Sequence, residues 1–175
     1  MRRTIHILFI SFILSVALIG CSDDGDDNPT NGNGGDHPFE GTFEFTSDGN
    51  DVDFGWGLAG HDADNNQSFA YGAADTTGIS NFNVENAMII YWEGMSEGTF
   101  QIDGDKVNII RWLDESVFYY GVSGELTITH FGDVGGTIEG NFNAKLSNPL
   151  DMDTVNITGG NFSVVRVDEF GTLPD

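Results

Sequence analysis

The sequence predicts an all-β fold, a single antiparallel β-sandwich or β-barrel, and three observations lead to this class. Short segments in which apolar and polar residues alternate recur along residues 39–175, as they do in strands with one buried face. Turn-forming Gly, Asn and Asp separate these segments, and the chain contains 24 glycines. No segment combines a helical apolar period with capping residues. Short strands at such spacing are typical of sandwiches and barrels.

The strands are predicted in order along the chain. Alternating or apolar segments predict strands at 39–46, 54–58, 87–92, 99–102, 106–113, 116–122, 126–130, 138–146 and 155–167. The run 87–92 is continuously apolar, which favours a central strand. Asp103-Gly104 lies between two such segments and predicts a hairpin. Gly159-Gly160 predicts a bend, bulge or turn inside the last strand.

The predicted core follows from the same alternation. Its members are the large apolar residues that share one face of their strand, together with two tryptophans in apolar runs: Phe39, Phe43, Phe45, Trp92, Trp112, Ile138, Phe142 and Leu146. The chain has one cysteine, so no disulfide can form within it and stability depends on burying this core.

The N-terminus carries the pattern of an export signal. Arg2 and Arg3 precede an apolar stretch, 5–19, that is too short for a comfortable membrane span and fits a cleavable signal peptide. The tetrapeptide Leu18-Ile19-Gly20-Cys21 that ends it resembles a bacterial lipobox. The resemblance implies cleavage after residue 20 and lipidation of Cys21, whose acyl chains would anchor the protein in a membrane. A retained N-terminal anchor is the alternative.

The residues that follow predict a cellular location and a flexible tether. Ser22-Asp23-Asp24 and Asp26-Asp27 resemble the acidic export signal of surface lipoproteins of the Bacteroidetes. That resemblance implies a lipid-anchored protein on the outer surface of the outer membrane. Residues 21–38 contain no large apolar side chain and are predicted to be a flexible acidic tether. The predicted organisation is therefore signal peptide 1–20, lipidated tether 21–38 and all-β domain 39–175.

Charge excludes one class of partner. All 28 acidic residues but only four basic residues follow residue 20, so the predicted mature chain has a formal charge of −24. Such a chain repels nucleic acid and anionic lipid, and it favours cations and basic partners. We therefore predict no nucleic-acid partner.

The second half contains a further resemblance. The segments 124–131, 135–142 and 155–162, the last two ending in Gly-Asn-Phe, resemble the C-terminal half of small β-sandwich domains of secreted bacterial lipoproteins. This resemblance covers residues 120–168. It implies a β-sandwich fold and identifies no catalytic residues.

Oxygen-rich residues offer one candidate metal site. Asp62, Asp64 and Asn66 alternate in the way that calcium loops do, although Gln67 stands where an EF-hand needs glycine. Calcium is therefore a possible cofactor, with an Asx-rich turn as the alternative. A two-histidine zinc site at His61 and His130 is a weaker possibility.

Aromatic residues offer the clearest sign of binding. Tyr119 and Tyr120 are adjacent on a strand, so one must point outward. Trp56 lies between two glycines, which allow close approach of a ligand or of another backbone. Sheet packing is the favoured interpretation for Trp56, and ligand binding is the alternative.

Three functions remain compatible with the sequence. The first is a binding or structural module of the cell envelope, with an extracellular glycan, a small ligand or an envelope protein as partner. The second is a secreted hydrolase acting on polysaccharide, and the third is a purely adhesive surface protein. No nucleophile elbow or framed carboxylate pair supports catalysis.

Overall fold

The computed structural model describes residues 40–74, 86–113 and 117–167, and nine strands lie within these ranges. They are β1 (Glu40–Ser47), β2 (Asn50–Asp62), β3 (Gln67–Ala73), β4 (Ala87–Glu93), β5 (Gly98–Gln101), β6 (Asn108–Trp112), β7 (Phe118–Phe131), β8 (Thr137–Ser147) and β9 (Thr154–Arg166). The predicted signal peptide and tether, with Cys21, and the predicted core residue Phe39 fall outside the described residues. The described ranges contain no helix that could cross a membrane.

Eight of these strands form one closed barrel. Their order around it is β7-β6-β4-β3-β2-β1-β9-β8, and β8 pairs back onto β7. The short β5 lies on the same edge of β7 as β6, but farther along that strand. Neighbouring strands are antiparallel, except where two residues of β2 pair in parallel with β9. The all-β prediction is confirmed, and the architecture is a barrel.

The barrel has two ends that the strand directions define. The upper end carries the β1–β2 and β8–β9 turns; β3 and β6 end there, and β4 and β7 begin there. The lower end carries the β2–β3 and β7–β8 turns and the connection from β4 through β5 to β6. At the upper end, Asp48 and Gly49 both have positive φ and join Ser47 to its partner Asn50. This is the two-residue turn whose twist matches a hairpin.

Phenylalanines fill the interior by lying over glycines. Gly140 and Phe142 on β8 pair directly with Phe162 and Gly160 on β9, so each ring covers the glycine opposite. A Cβ on Gly160 would lie 2.6 Å from the ring of Phe142, and one on Gly140 would lie 2.7 Å from that of Phe162. The repeated Gly-Asn-Phe triplet therefore encodes a reciprocal packing arrangement in which only glycine leaves room for the ring.

The predicted core is confirmed where the structure describes it, with one exception. Phe43, Phe45, Ile138, Phe142, Leu146 and Trp92 are buried in the main cluster. Trp112 is only half-buried and packs on the outside of the barrel. It follows Arg111, which points inward, so strand alternation turns the indole outward.

Two other predictions change in detail, and a third is confirmed. The segments flanking Asp103-Gly104 do not form a hairpin, because β5 and β6 both pair with β7. The predicted strands at 116–122 and 126–130 are parts of one long strand, β7, with a register shift between Gly121 and Ser123. The predicted irregularity at Gly159 is confirmed: Gly159 has φ +61°, and the pairing with β8 changes register there. Strand β3 is absent from the predicted set.

One cation is buried at the upper end of the interior. Arg111 lies over the rings of Phe54 and Phe45, at 5.2 and 5.7 Å from their centroids. Its Nη1 donates to the carbonyls of Ala87, at 3.0 Å, and of Trp112, and its Nη2 donates to Asn86 Oδ1. Burial lowers the pKa of Arg111 to about 10, so the guanidinium remains charged at neutral pH. These bonds tie the start of β4 to the end of β6.

Candidate functional site

The outside of the barrel carries an uncharged apolar face that spans five adjacent strands, β2, β3, β4, β6 and β7. We call it the outer apolar face. Its central row follows the strand register and consists of Leu58, Tyr71, Ile89, Ile110 and Tyr120. The row below is Gly60, Phe69, Tyr91 and Asn108, and the row above is Ala73, Ala87, Trp112 and Phe118. None of these thirteen positions is charged.

Strand β3 shows how the sequence produces this face. Ser68, Ala70 and Gly72 point inward and are buried, while Phe69 and Tyr71 point outward and are half-buried. The inward residues are small because Phe43 occupies the space: a Cβ on Gly72 would lie 2.6 Å from its ring. The large side chains of β3 therefore face out, opposite to the usual arrangement of a half-buried strand.

The apolar runs of β4 and β6 produce the same result. Met88, Ile90 and Trp92 fill the interior, while Ile89 and Tyr91 lie on the outer apolar face. Strands that are apolar on both faces are typical of sheets covered on both sides. All nine described strands belong to one sheet, so no other described strand covers this face.

The three aromatic residues that the sequence singles out lie on different sides of the barrel wall, two outside and one inside. Trp56 is 5% exposed and packs on the outer apolar face, with its ring centroid 5.5 Å from that of Tyr71. Tyr120 is 36% exposed on the same face and contacts Phe118 edge-on. Tyr119 is 8% exposed and belongs to the main core. The structure therefore brings Trp56 and Tyr120 onto one surface and places Tyr119 inside.

Partial burial affects the phenols of this face. It raises the pKa of Tyr91 to about 12, and it also raises the pKa of Tyr71. Neither hydroxyl group, nor that of Tyr120, has a hydrogen-bond partner among the described residues. The face thus combines apolar side chains with three phenol groups.

Tyr119 lies beneath an acidic rim at the upper end. Burial raises its pKa, and the carboxylates of Asp153, Asp151 and Asp48 add to that effect. The same turns use their carboxylates internally, since Asp48 Oδ1 accepts a hydrogen bond from the backbone N–H of Asn156 at 2.9 Å. The geometry accounts for these acids as turn-stabilising groups.

The candidate calcium residues form a turn at the lower end. Asp62 Oδ1 accepts the backbone N–H groups of Asp64 and Asn65 at 3.0 and 3.2 Å, and Asp62 Oδ2 accepts Asn65 Nδ2 at 2.6 Å. Asn66 has φ +50°, which is characteristic of Asn in turns. Within the described ranges, no three His, Cys, Asp or Glu side chains are grouped as metal ligands would be.

The two histidines lie in different environments. His61 is buried, with its Nδ1 3.0 Å from Ser68 Oγ, which in turn donates to the carbonyl of Gly94 at 2.7 Å. Because the Ser68 hydroxyl proton points to the Gly94 carbonyl, the proton in the bond between His61 and Ser68 belongs to His61 Nδ1. His130 is exposed, with its Nδ1 3.7 Å from Glu97 Oε1.

The sequence singles out Tyr120 on the outer apolar face and Trp56 beside it as binding candidates, and it assigns no binding role to most of the other positions. Ile89, Ile110 and Trp112 lie in apolar runs, which the sequence places in the interior. The available signal was the continuous apolar run 87–92, which is longer than one buried face requires.

Comparison with known protein families, with characterised proteins and with solved structures finds no match to this chain. The lipoprotein resemblance therefore stays a prediction from residues 1–27, and the outer apolar face has to be interpreted from its own geometry.

Proposed function

We propose that this chain is a lipid-anchored protein of the bacterial outer membrane, exposed on the cell surface, whose β-barrel serves as a binding module. The lipobox-like tetrapeptide ending at Cys21 and the acidic residues after it support the anchor and the address. The acidic composition suits a solvated exterior and disfavours nucleic acid.

One observation carries the binding role, namely the outer apolar face. Isolated apolar residues on a surface are ordinary, but a contiguous apolar patch marks an interaction site. Here the patch extends over five neighbouring strands without a charge, on a domain whose predicted mature chain has a net charge of −24. No feature of the described residues favours the polysaccharide-hydrolase alternative.

A single introduced thiol tests both location and binding. Cys21 is the sole cysteine and would be lipidated, so a cysteine placed on the barrel provides the one free thiol. Tyr120→Cys places it on the outer apolar face. Thr158→Cys places it at an exposed position of β9, the strand that lies across the barrel from β4, and serves as the matched control. Each variant is labelled with a membrane-impermeant maleimide, on intact native cells and as purified protein.

The proposed function predicts a specific pattern of labelling. Thr158→Cys should react at similar rates on cells and in purified form, which requires surface exposure. Tyr120→Cys should react at least fivefold more slowly on cells, because a bound partner covers it. Equal rates for Tyr120→Cys in both settings would reject an occupied binding face. Failure of both variants to label on intact cells would reject the surface location.

A further inference from the structure

We infer that Met95 is a site of reversible oxidation by peroxides and that Arg166 binds the sulfoxide that forms there. This site lies at the lower end of the barrel and does not depend on the proposed binding role. Three features support it: the exposure of Met95, its contact with a buried guanidinium, and the different surroundings of the other methionines.

Met95 is accessible to solvent. It lies in the connection between β4 and β5 and is 49% exposed. A peroxide that reaches it oxidises the thioether to a sulfoxide, which reductases convert back. In this step a sulfur lone pair forms a bond to one peroxide oxygen and the O–O bond breaks. The second oxygen takes up the proton and leaves as water, so the sulfur is oxidised by two electrons and the peroxide is reduced.

The neighbour of the Met95 sulfur is a charged donor. Arg166 is 7% exposed, and its Nη2 lies 3.7 Å from Met95 Sδ. The rest of the guanidinium is held in place, because Nη1 donates to the carbonyl of Gly132 at 2.9 Å and the group lies 5.0 Å from the ring centroid of Phe131. A thioether is a weak acceptor, so this charged donor faces a group that bonds to it only weakly.

The sulfoxide is a stronger acceptor at the same position. An oxygen about 1.5 Å from Met95 Sδ can lie about 2.8 Å from Arg166 Nη2, the length of a charge-assisted hydrogen bond, with the 3.7 Å separation of sulfur and nitrogen unchanged. The guanidinium is already ordered, so little further entropy is lost when the bond forms. Oxidation therefore joins the β4–β5 connection to the end of β9.

The other methionines that the structure describes provide internal controls. Met88 is fully buried in the main core, where a peroxide cannot reach its sulfur while the barrel is folded. Met152 is 73% exposed on the β8–β9 turn, and its sulfur has no hydrogen bond among the described residues. Met152 should therefore oxidise without a structural consequence, and Met95 should oxidise with one.

Treatment of the full chain in detergent micelles with hydrogen peroxide tests the inference. Peptide mapping by mass spectrometry should find added oxygen at Met95 and Met152 and none at Met88. The melting temperature should rise by about 3 °C or more, as expected for one added bond to a charged group in a domain of this size. Methionine sulfoxide reductase should reverse the rise. Met152→Leu should keep it, and Met95→Leu should abolish it.

The guanidinium of Arg166 provides a second readout. Its Nη2 protons, followed by NMR of isotope-labelled protein, should exchange with water at least fivefold more slowly after oxidation, and Met95→Leu should remove this effect. Failure of Met95 to oxidise, or a melting temperature that its oxidation leaves unchanged or lowers, would overturn the inference. So would a rise that persists in Met95→Leu. A rise without slower exchange would reject Arg166 as the group that binds the sulfoxide.

Discussion

Replacing Gly160 with alanine tests the packing of rings over glycines more sharply than truncation of a ring does. The added Cβ would lie 2.6 Å from two ring carbons of Phe142, closer than carbon atoms can approach. Phe142 is fully buried and has Phe43, Phe45 and Phe162 around it, with ring centroids 5.8, 6.1 and 6.4 Å away. The ring cannot move aside without displacing the core.

Overpacking of this kind costs about 1–3 kcal/mol of unfolding free energy. At about 4 °C per kcal/mol for a domain of this size, Gly160→Ala should lower the melting temperature by about 4–12 °C. Gly55→Ala is the matched control, because Gly55 also lies in a strand and has open space around it. That change should be neutral or stabilising by up to about 1 kcal/mol.

A double-mutant cycle identifies the clash as the cause. Phe142→Leu removes the ring carbons that the new Cβ would meet, so the two substitutions together should cost less than the sum of their separate costs. A coupling of at least about 0.5 kcal/mol is expected for residues in direct contact. The reasoning would be refuted if Gly160→Ala melted within 1 °C or so of the unchanged protein, or if the two effects simply added.

Three further predictions concern the anchor, the lower turn and the β5–β6 connection. Mass spectrometry of protein from its native host should show loss of residues 1–20 and acyl mass on Cys21, and Cys21→Ala should release the protein or leave it uncleaved; recovery of mainly intact precursor contradicts lipidation. A calcium site requires a calcium-dependent rise in melting temperature that Asp62→Asn with Asp64→Asn abolishes; a melting temperature indifferent to millimolar calcium leaves these residues as turn formers. Backbone N–H groups, that of Asp105 foremost, lower the pKa of Asp103 in the folded protein. The Asp103 carboxylate therefore stabilises the fold at any pH above its pKa in the unfolded chain, about 4, and this stabilisation is lost as the pH falls further. The stability difference between the unchanged protein and Asp103→Asn should therefore shrink below about pH 4, and a difference that persists unchanged at pH 2 or so would contradict it.

Local alternation predicted the strands whose two faces differ. In β1, Phe43 and Phe45 alternate with Glu44 and Thr46, and the structure buries the two rings while leaving Glu44 exposed. Strand β8 behaves in the same way. Polar and apolar residues occupy opposite faces there, so the period of two is visible without knowledge of the neighbours.

Turn chemistry alone did not predict strand pairing. Asp48-Gly49 and Asp103-Gly104 have the same sequence, yet only the first is a two-residue hairpin. Asp103 Oδ1 accepts the N–H groups of Asp105, Lys106 and Val107, which makes a wider loop. The strands on either side of that loop both pair with β7. Residues near the turn do not indicate this pairing, because β7 lies farther along the chain.

Strand β3 and the outer apolar face could not be predicted from the sequence, and the physical reason is the same for both. An interior position can be small when a ring from another strand fills the space, as Phe43 does over Gly72. The pattern of β3 then places aromatic residues outside, where the usual interpretation expects polar ones. The stability of the barrel does not require aromatic residues on the outside, because the main core already fills its interior. Local rules that fail without a structural need are expected at functional positions. That argument, more than the number of aromatic residues, supports the proposal that the outer apolar face is a binding surface.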